Sequence, residues 1–535
     1  MLILAAAAAV RFQGLGRLEL WHDECHAVIT ARSPLGILHE LRQDSNAPLY
    51  FFVLRLWTAV FGISAEGVRS LSATLGLAAV ACVGLWVRAL GMPRGAALWA
   101  LGLASGATLQ VYYSQEARGY TLVFLLVSLA GMGLARAVAS GRAGWWVAHG
   151  AALALALFAH DLCLAFVPAA WLAAWALGTD RRGWKRLALC HAAVLSVYGP
   201  YLAYVLAQPK GPALAWIEPL WRALPPALAL PRSVEALGVA GHTPAYIRLV
   251  PPDLVVRLLS GAVTIVCLAG CVSWLMQGGP DTAVAERRAV RRGLVALSAF
   301  AFVPLLSQFG YSLAIKPIYV VARYDTLAQP AFLGLLAAGA LAVQRALARV
   351  SAPAGVLPAI AVVALAIHPL AQRAVPLDDD LVYRPQQVRG EILTAEAGAD
   401  DLIVCMGLEA TRIAYQMLLR DIPADLVTFP LSTRRHMGWF VPEAVLAEGR
   451  ERLEGEAHAI LNGFFGPDRR YRRLWVVMDP YSGTPQPPGR ANPYAEISGI
   501  FLGMVARRGL LSAGLSTPEK TARAEAVGLR LFEAP

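Results

Sequence analysis

Leu20-Trp21-His22-Asp23-Glu24-Cys25-His26 sets two adjacent carboxylates and two imidazoles directly after the first apolar run of the chain. Whether this stretch is an ordinary surface loop or one end of a reaction site depends on what surrounds it. The surroundings are those of a membrane. Of 535 residues 57% are hydrophobic and only 16% charged, with a mean hydropathy of +0.52, too apolar for a soluble enzyme of this length. The formal net charge of +11 is explained by loop arginines that favour the cytoplasmic side of a bilayer. No helix-turn-helix, zinc-finger or stacked-aromatic pattern argues for nucleic acid. The seven cysteines form no CxxC pair and most lie in apolar runs, so neither a disulfide framework nor a zinc ribbon is indicated.

A membrane crossing takes about 20 apolar residues. The run from Met1 to about Val10 is shorter, which predicts a partial first span or a chain start further upstream. Residues 47–62 contain Arg55 and read as an interfacial or re-entrant helix. Full spans are expected near 69–90, 95–111, 119–137, 145–159, 162–178, 187–207, 254–276, 294–314, 327–344 and 354–370, about eleven with the first. Alternate loops carry Arg88/Arg94, Arg136/Arg142, Arg181 to Arg186, Arg287 to Arg292 and Arg345/Arg349, and these define the cytoplasmic face. The opposite face then receives Asp23-Glu24, the Tyr112–Tyr120 loop, His160-Asp161, the loop 208–253, Lys316–Asp325 and everything after the last span.

This divides the chain into a transmembrane part, 1–372, and an extracytoplasmic part, 373–535. In the second part apolar runs shorten to strand length at 401–406, 473–478 and 527–532, with helical patterns at 411–419 and 442–453, which predicts a small α/β domain. It holds no glycine-rich phosphate loop. Asp378-Asp379-Asp380 before it reads as a solvated linker, with calcium binding the lesser alternative.

Three polar clusters share the outer face. Asp23 can accept a proton from an acceptor hydroxyl, and the paired carboxylates suit unequal roles, one as base and the other holding an acceptor, a metal or a neighbouring helix. His22 and His26 raise the question of a divalent metal, although ligands confined to one short loop match no standard site and a remote ligand would be required. In Tyr112–Tyr120, Glu116 and Arg118 are either a neutralised pair in an aromatic belt or an acid beside a phosphate-binding guanidinium. In Lys316–Asp325, Lys316 and Arg323 either snorkel to lipid headgroups or hold the phosphate of a lipid-linked donor. His160, beside Asp161 at a helix end, is more often structural.

These motifs, in this order, resemble the GT-C glycosyltransferases, in particular the protein O-mannosyltransferase and aminoarabinose-transferase families. Asp23-Glu24 matches their first external loop. Asn46-Ala47-Pro48-Leu49-Tyr50 leading to Arg55-Leu56-Trp57 is similar to their His-Pro-Pro-Leu-Tyr stretch. Tyr113 to Tyr120 matches almost letter for letter, Ala159-His160-Asp161 echoes a span start, and Arg323-Tyr324 precedes Pro330. The likeness covers about 1–345.

It implies a polytopic helical fold and transfer of a hexosyl or pentosyl group from a polyprenyl-phosphate donor to a lipid, glycan or protein acceptor outside the cytoplasm, in the inner (plasma) membrane. By carry-over Asp23 is the general base, Glu24 and Glu116 are its acidic partners, and Arg118, Lys316, Arg323 and Tyr324 face the donor phosphate. Tyr50, Arg55, His160 and Tyr319 are the candidate acceptor or substrate contacts. Asn46-Ala47 in place of His-Pro weakens any metal ligand expected there, Asp161 stands in place of an aromatic, and both departures imply altered acceptor or metal dependence. The runner-up is a lipid or sugar transporter, which predicts mid-span charges and a repeated half; neither stands out in the sequence.

Overall fold

The computed structural model describes residues 1–44, 46–207, 216–240, 254–276, 284–374, 384–435, 441–465, 469–483 and 491–534. Its first part is helical. We number its main helices α1 (Leu2–Phe12), α2 (His22–Arg32), α3 (Leu49–Phe61), α4 (Ala65–Ala89), α5 (Arg94–Gly106), α6 (Thr108–Ser114), α7 (Tyr120–Ser140), α8 (Ala143–Ala159), α9 (Phe166–Leu177), α10 (Arg181–Ala207), α11 (Pro226–Leu237), α12 (Leu254–Met276), α13 (Val284–Ala314), α14 (Gln329–Val350) and α15 (Leu357–Ala374).

Among the described residues six helices are long and apolar enough to cross a membrane, and they fall on the spans expected near 69–90, 119–137, 187–207, 254–276, 294–314 and 327–344. The spans expected at 1–10, 145–159, 162–178 and 354–370 fall on shorter apolar helices. Close approach depends on small residues where helices cross. A Cβ added to Gly339 of α14 would lie 1.8 Å from the Cys267 carbonyl oxygen of α12, so the two backbones touch where only glycine fits.

Two local expectations need correction. Residues 95–111 do not make one span: the helix breaks at Ala107, whose ψ of 126° is extended, into α5 and α6. The break frees carbonyls, and buried Arg11 collects them. Its guanidinium donates to the Ala104 and Ser105 carbonyls at 2.9 and 3.0 Å and to Ser114 Oγ at 3.1 Å. Nothing in the residue pattern of α1 marks Arg11 for that task. The second correction is Asp23-Glu24, which stand in the first turn of α2 rather than in a loop, where carboxylates are favoured by the helix dipole.

The second part is an α/β domain with a five-stranded sheet. The strands β1 (Asp401–Met406), β2 (Asp425–Phe429), β3 (Arg473–Val477), β4 (Leu511–Ala513) and β5 (Leu529–Glu533) lie in the order β2-β1-β3-β5-β4. The first three are parallel, and β5 and β4 add antiparallel. β2 and β4 lay outside the sequence expectation. β2 carries polar Asp425 and Thr428, and β4 has only 3 residues. Every residue of β1 is buried, because helices cover both faces. Leu402, Val404 and Met406 pack with Phe464 and Phe501, while Ile403 and Cys405 pack with Ile392, Ile413 and Trp475.

That packing fixes where the loops go. Helix α17 (Glu409–Arg420), after α16 (Arg384–Glu396), leaves the C-terminal end of β1 through Gly407, whose φ of +58° suits glycine. It docks on the helical part: Tyr415 Oη donates to the Ile63 carbonyl at 3.0 Å, and Gln416 reaches Glu19 at 3.4 Å. The C-terminal ends of β1 and β3 therefore face α2. The stretch around Asp378 lies outside the described residues, as do 208–215 and 241–253 of the long loop.

Candidate active site at the junction of the two parts

Glu24 positions the start of α2. It is 1% exposed and binds Arg69 of α4 through both oxygens, at 2.8 and 2.6 Å. The same carboxylate accepts from the Ala117 backbone N–H at 2.9 Å and from Trp21 N–H at 3.2 Å. The second bond reaches back across the first helical turn in the manner of a capping box. Arg69 in turn donates to the carbonyls of Leu15, Leu18 and Glu19. Three chain segments thus meet on one buried ion pair. Glu24 is absent from the cavity walls, and of the roles open to it from sequence this arrangement is that of a carboxylate holding a neighbouring helix, which keeps Asp23 in place.

Asp23, the next residue, points the other way. Its side chain keeps 25% of its exposure and opens on a cavity of about 290 Å³. Its Oδ2 accepts from Arg323 Nη2 at 3.1 Å and lies 4.0 Å from Arg118 Nη2. Burial alone raises the Asp23 pKa, but the two guanidiniums outweigh it and hold the carboxyl below its ordinary value.

Each arginine is itself aimed. Arg118 donates to Asn46 Oδ1 at 3.0 Å; Asn46 Nδ2 donates to Asp44 Oδ1 at 2.7 Å; Asp44 Oδ2 pairs with His26 Nε2 at 2.9 Å. Asn46, a departure from the family motif, is therefore a support for Arg118, and His26 is the far end of the same relay. Arg323 lies over the Trp216 ring, 4.9 Å from its centroid. It follows Ala322, a non-glycine residue at φ +60° whose carbonyl accepts from Tyr113 Oη at 2.6 Å. A left-handed alanine is strained, and the tyrosine holds that strained turn so that Arg323 meets Asp23.

Tyr324 also lines the cavity, with His160 edge-on behind it at 5.4 Å between ring centroids. His22 faces the cavity too. Neither of its ring nitrogens has a hydrogen-bond partner among the described residues, and burial lowers its pKa to about 4, only partly offset by Asp23. Among the described residues no three His, Cys, Asp or Glu side chains are grouped to hold a metal ion. Asp23 is committed to arginines and His26 to Asp44. His22 and His26 as arranged do not fit the divalent metal considered from sequence.

Four other expectations are not brought to this cavity. Lys316 and Arg55 are exposed and absent from its walls. Tyr50 is buried, its hydroxyl 3.3 Å from Ser72 Oγ, beneath the 115–119 turn. Tyr319 donates to Ser233 Oγ at 2.6 Å, away from the cavity. A helix-end position in sequence does not tell on which side of the helix bundle a residue emerges.

Glu116 lies behind the arginines rather than on the cavity wall. It is 7% exposed and its Oε2 has no partner among the described residues. Burial, reinforced by the Glu24 charge, pushes its pKa up to about 8 from 4.5. The folded protein therefore retains a proton that the unfolded chain releases, and stability falls as pH rises between those two values. Glu116→Gln is expected to stabilise the protein at pH 8 by on the order of 2 kcal/mol, with the gain vanishing below pH 4.5. Thermal unfolding at several pH values measures this; an equal effect at all pH values would contradict a protonated Glu116.

The wall opposite Asp23 was not foreseen from sequence. It is formed by Leu408, Glu409 and Arg412 after β1 and by Asp479, Pro480 and Tyr481 after β3. Glu409 binds Arg412 at 2.9 Å and also pairs with Arg389. Asp479 accepts from the Tyr481 backbone N–H at 2.9 Å, and burial raises its pKa to about 6. The signal was available in the rule that parallel sheets present ligand-facing groups at the C-terminal ends of their strands.

Residues 45–204 match the family model described as dolichyl-phosphate-mannose-protein mannosyltransferase. No curated protein matches the sequence. Among solved structures, the apo oligosaccharyltransferase of Archaeoglobus fulgidus is similar with a TM-score of 0.51 at 14% identity, over 96% of this chain and 73% of that one. ArnT of Cupriavidus metallidurans aligns in its apo state (TM-score 0.45, 14% identity) and bound to undecaprenyl phosphate (0.46, 16%), each over 99% of this chain and 97% of that one. The chain is thus a membrane protein with the fold of the GT-C glycosyltransferases, and its segment 45–204 is similar to their lipid-phosphate mannosyltransferase family.

Proposed function

We propose that this protein transfers a sugar from a polyprenyl-phosphate donor to an acceptor at the extracytoplasmic face of the plasma membrane, with Asp23 as general base. The observation that carries this reading is the Asp23 carboxylate set between Arg118 and Arg323 at the mouth of a cavity where the helices end. The description of the matching family, whose donor is a lipid phosphate, supports it.

The chemistry follows from that geometry. The acceptor O–H proton passes to Asp23 as the acceptor oxygen bonds to the anomeric carbon. The bond from that carbon to the phosphate oxygen breaks, and polyprenyl phosphate leaves with the electron pair. Attack opposite the leaving group inverts the anomeric centre. Arg118 and Arg323 stabilise the growing phosphate charge, an electrostatic contribution that a low-dielectric site enlarges. Before the donor arrives the same two cations hold Asp23 as a weak base. A bound phosphate competes for them, and Asp23 gains basicity when there is a substrate to act on.

The reading is tested in membranes containing the protein, supplied with radiolabelled polyprenyl-phosphate hexoses and pentoses. Label is expected to move from the lipid to an acceptor in a protein-dependent manner. Label that changes leaflet while staying on its lipid would favour a transporter, and failure with every donor would overturn the transferase reading. An alkaline-phosphatase fusion after Ala371 is expected to be active; an inactive fusion would reverse the assigned side.

A further inference from the structure

The cavity wall from the sheet domain carries polar groups that the transfer chemistry above does not use. Arg412 donates through Nη1 to Glu409, but its Nε has no partner among the described residues. Asp479 is 5% exposed and its side chain takes a hydrogen bond from the Tyr481 backbone. Across the cavity, His22 is 9% exposed with both ring nitrogens unpartnered among the described residues. Buried polar groups are normally satisfied, and these line one cavity from both the helical part and the sheet domain.

Their chemistry restricts what satisfies them. Arg412 only donates, the ionised Asp479 only accepts, and a neutral imidazole does one at each nitrogen. A phosphate would suit Arg412 but meet the charges of Asp479 and Glu409. An apolar group would leave Arg412 Nε and both His22 ring nitrogens without partners. A hydroxyl both donates and accepts, and neighbouring hydroxyls on one rigid ring serve a donor and an acceptor together. The cavity of about 290 Å³ is at the small end of ligand sites, in keeping with a single ring beside the arginines.

We propose that His22, Arg412 and Asp479 form a hydroxyl-recognition subsite for one sugar ring, half built by α2 and half by the ends of β1 and β3. The sheet domain is then a specificity element of the site. This rests on the glycosyl-transfer reading and adds the residues that select the sugar. The ring belongs either to the donor or to a glycan acceptor, and the two sources are separable by experiment.

Full-length protein in lipid nanodiscs is titrated with undecaprenyl phosphate, with a panel of undecaprenyl-phosphate sugars, and with methyl glycosides in the presence of undecaprenyl phosphate. The variants are Asp479→Asn, which keeps the shape and the Tyr481 contact, and Arg412→Lys, each matched to wild type by thermal unfolding. Bare undecaprenyl phosphate is expected to bind both variants within about twofold of wild type. Loss of one hydrogen bond to a charged group is expected to weaken the sugar-dependent part of binding by at least about tenfold. A donor ring shows that loss with the lipid-linked sugars, and an acceptor ring shows it with the glycosides.

The proposal is overturned if variants that unfold like wild type bind every sugar as wild type does, or lose bare undecaprenyl phosphate as strongly as the sugar-bearing lipid. It is also overturned if wild type gains nothing from any sugar. Wild type that fails to bind even the bare lipid phosphate would overturn the transferase reading and this inference with it.

Discussion

Asp23→Asn is expected to reduce sugar transfer by about 10³-fold, within the range assigned to a positioned general base, while leaving the protein folded and its lipid-phosphate affinity intact or improved. Asparagine occupies the same volume and can still accept from Arg323, now at 3.1 Å from Oδ2, so the geometry of α2 is preserved. What it lacks is a site for the acceptor proton. It also removes the negative charge that competes with phosphate for Arg118 and Arg323. Loss of turnover combined with undiminished binding of undecaprenyl phosphate separates this role from a purely structural one. Asp23→Glu keeps the charge but moves it by one methylene, and an intermediate loss is expected. Transfer by Asp23→Asn at the wild-type rate would remove Asp23 as base, and a parallel loss of lipid binding would make it a structural residue. Because its folded pKa lies below the usual carboxylate value before the donor binds, the acid limb of kcat/KM, which reports the free enzyme, is expected at lower pH than an unperturbed carboxylate would give.

How much of this site could be read in advance follows from how each residue is held. Asp23, Arg118 and Arg323 were legible because charged residues are rare in an apolar chain and these gather where spans end. Their assembly depended only on topology. Glu24 was legible as a carboxylate with a role apart from that of Asp23, but its partner was not, because Arg69 is 45 residues away in a stretch that reads as span. Nothing in the motif distinguishes a carboxylate that faces a cavity from one that faces a buried guanidinium. Lys316 and Arg55 do not line this cavity, and hydropathy could not tell, since it gives the depth of a residue in the membrane but not its direction around the helix axis. Arg412 and Asp479 went unnoticed for a different reason. Their residue types are ordinary in a soluble domain, and only the docking of α17 against α2, through Tyr415 and Ile63, turns that sheet edge into a wall. In the fold, the six long spans were legible from the length of their apolar runs, whereas the break at Ala107 was not, because it is sustained by Arg11 from another helix.

The other large effect is expected at Arg69, and it is an effect on folding. Arg69 and Glu24 are buried with side-chain exposures of 8% and 1%, and the pair sits where residues 15–24, the first turns of α4 and the 115–119 turn converge. Arg69→Met would leave the Glu24 carboxylate in low dielectric without its cation and the Leu15, Leu18 and Glu19 carbonyls without that donor. Breaking a buried pair from one side costs about 3–5 kcal/mol, enough to exhaust a large part of the stability of a typical domain. Detergent-solubilised Arg69→Met is therefore expected to be recovered poorly and to unfold well below wild type. Glu24→Gln is milder, since the amide keeps one acceptor oxygen but turns a donor toward a donor. Removing both charges in Glu24→Leu/Arg69→Met is expected to recover part of the loss, because no unpaired charge remains. That recovery is the discriminating result: a double variant as unstable as the sum of the two single ones would mean that the pair is not the joint between these segments. The same comparison separates the neighbouring carboxylates. Changes at Glu24 are expected to lower transfer in step with the fraction of folded protein, whereas Asp23→Asn lowers it in protein that is fully folded.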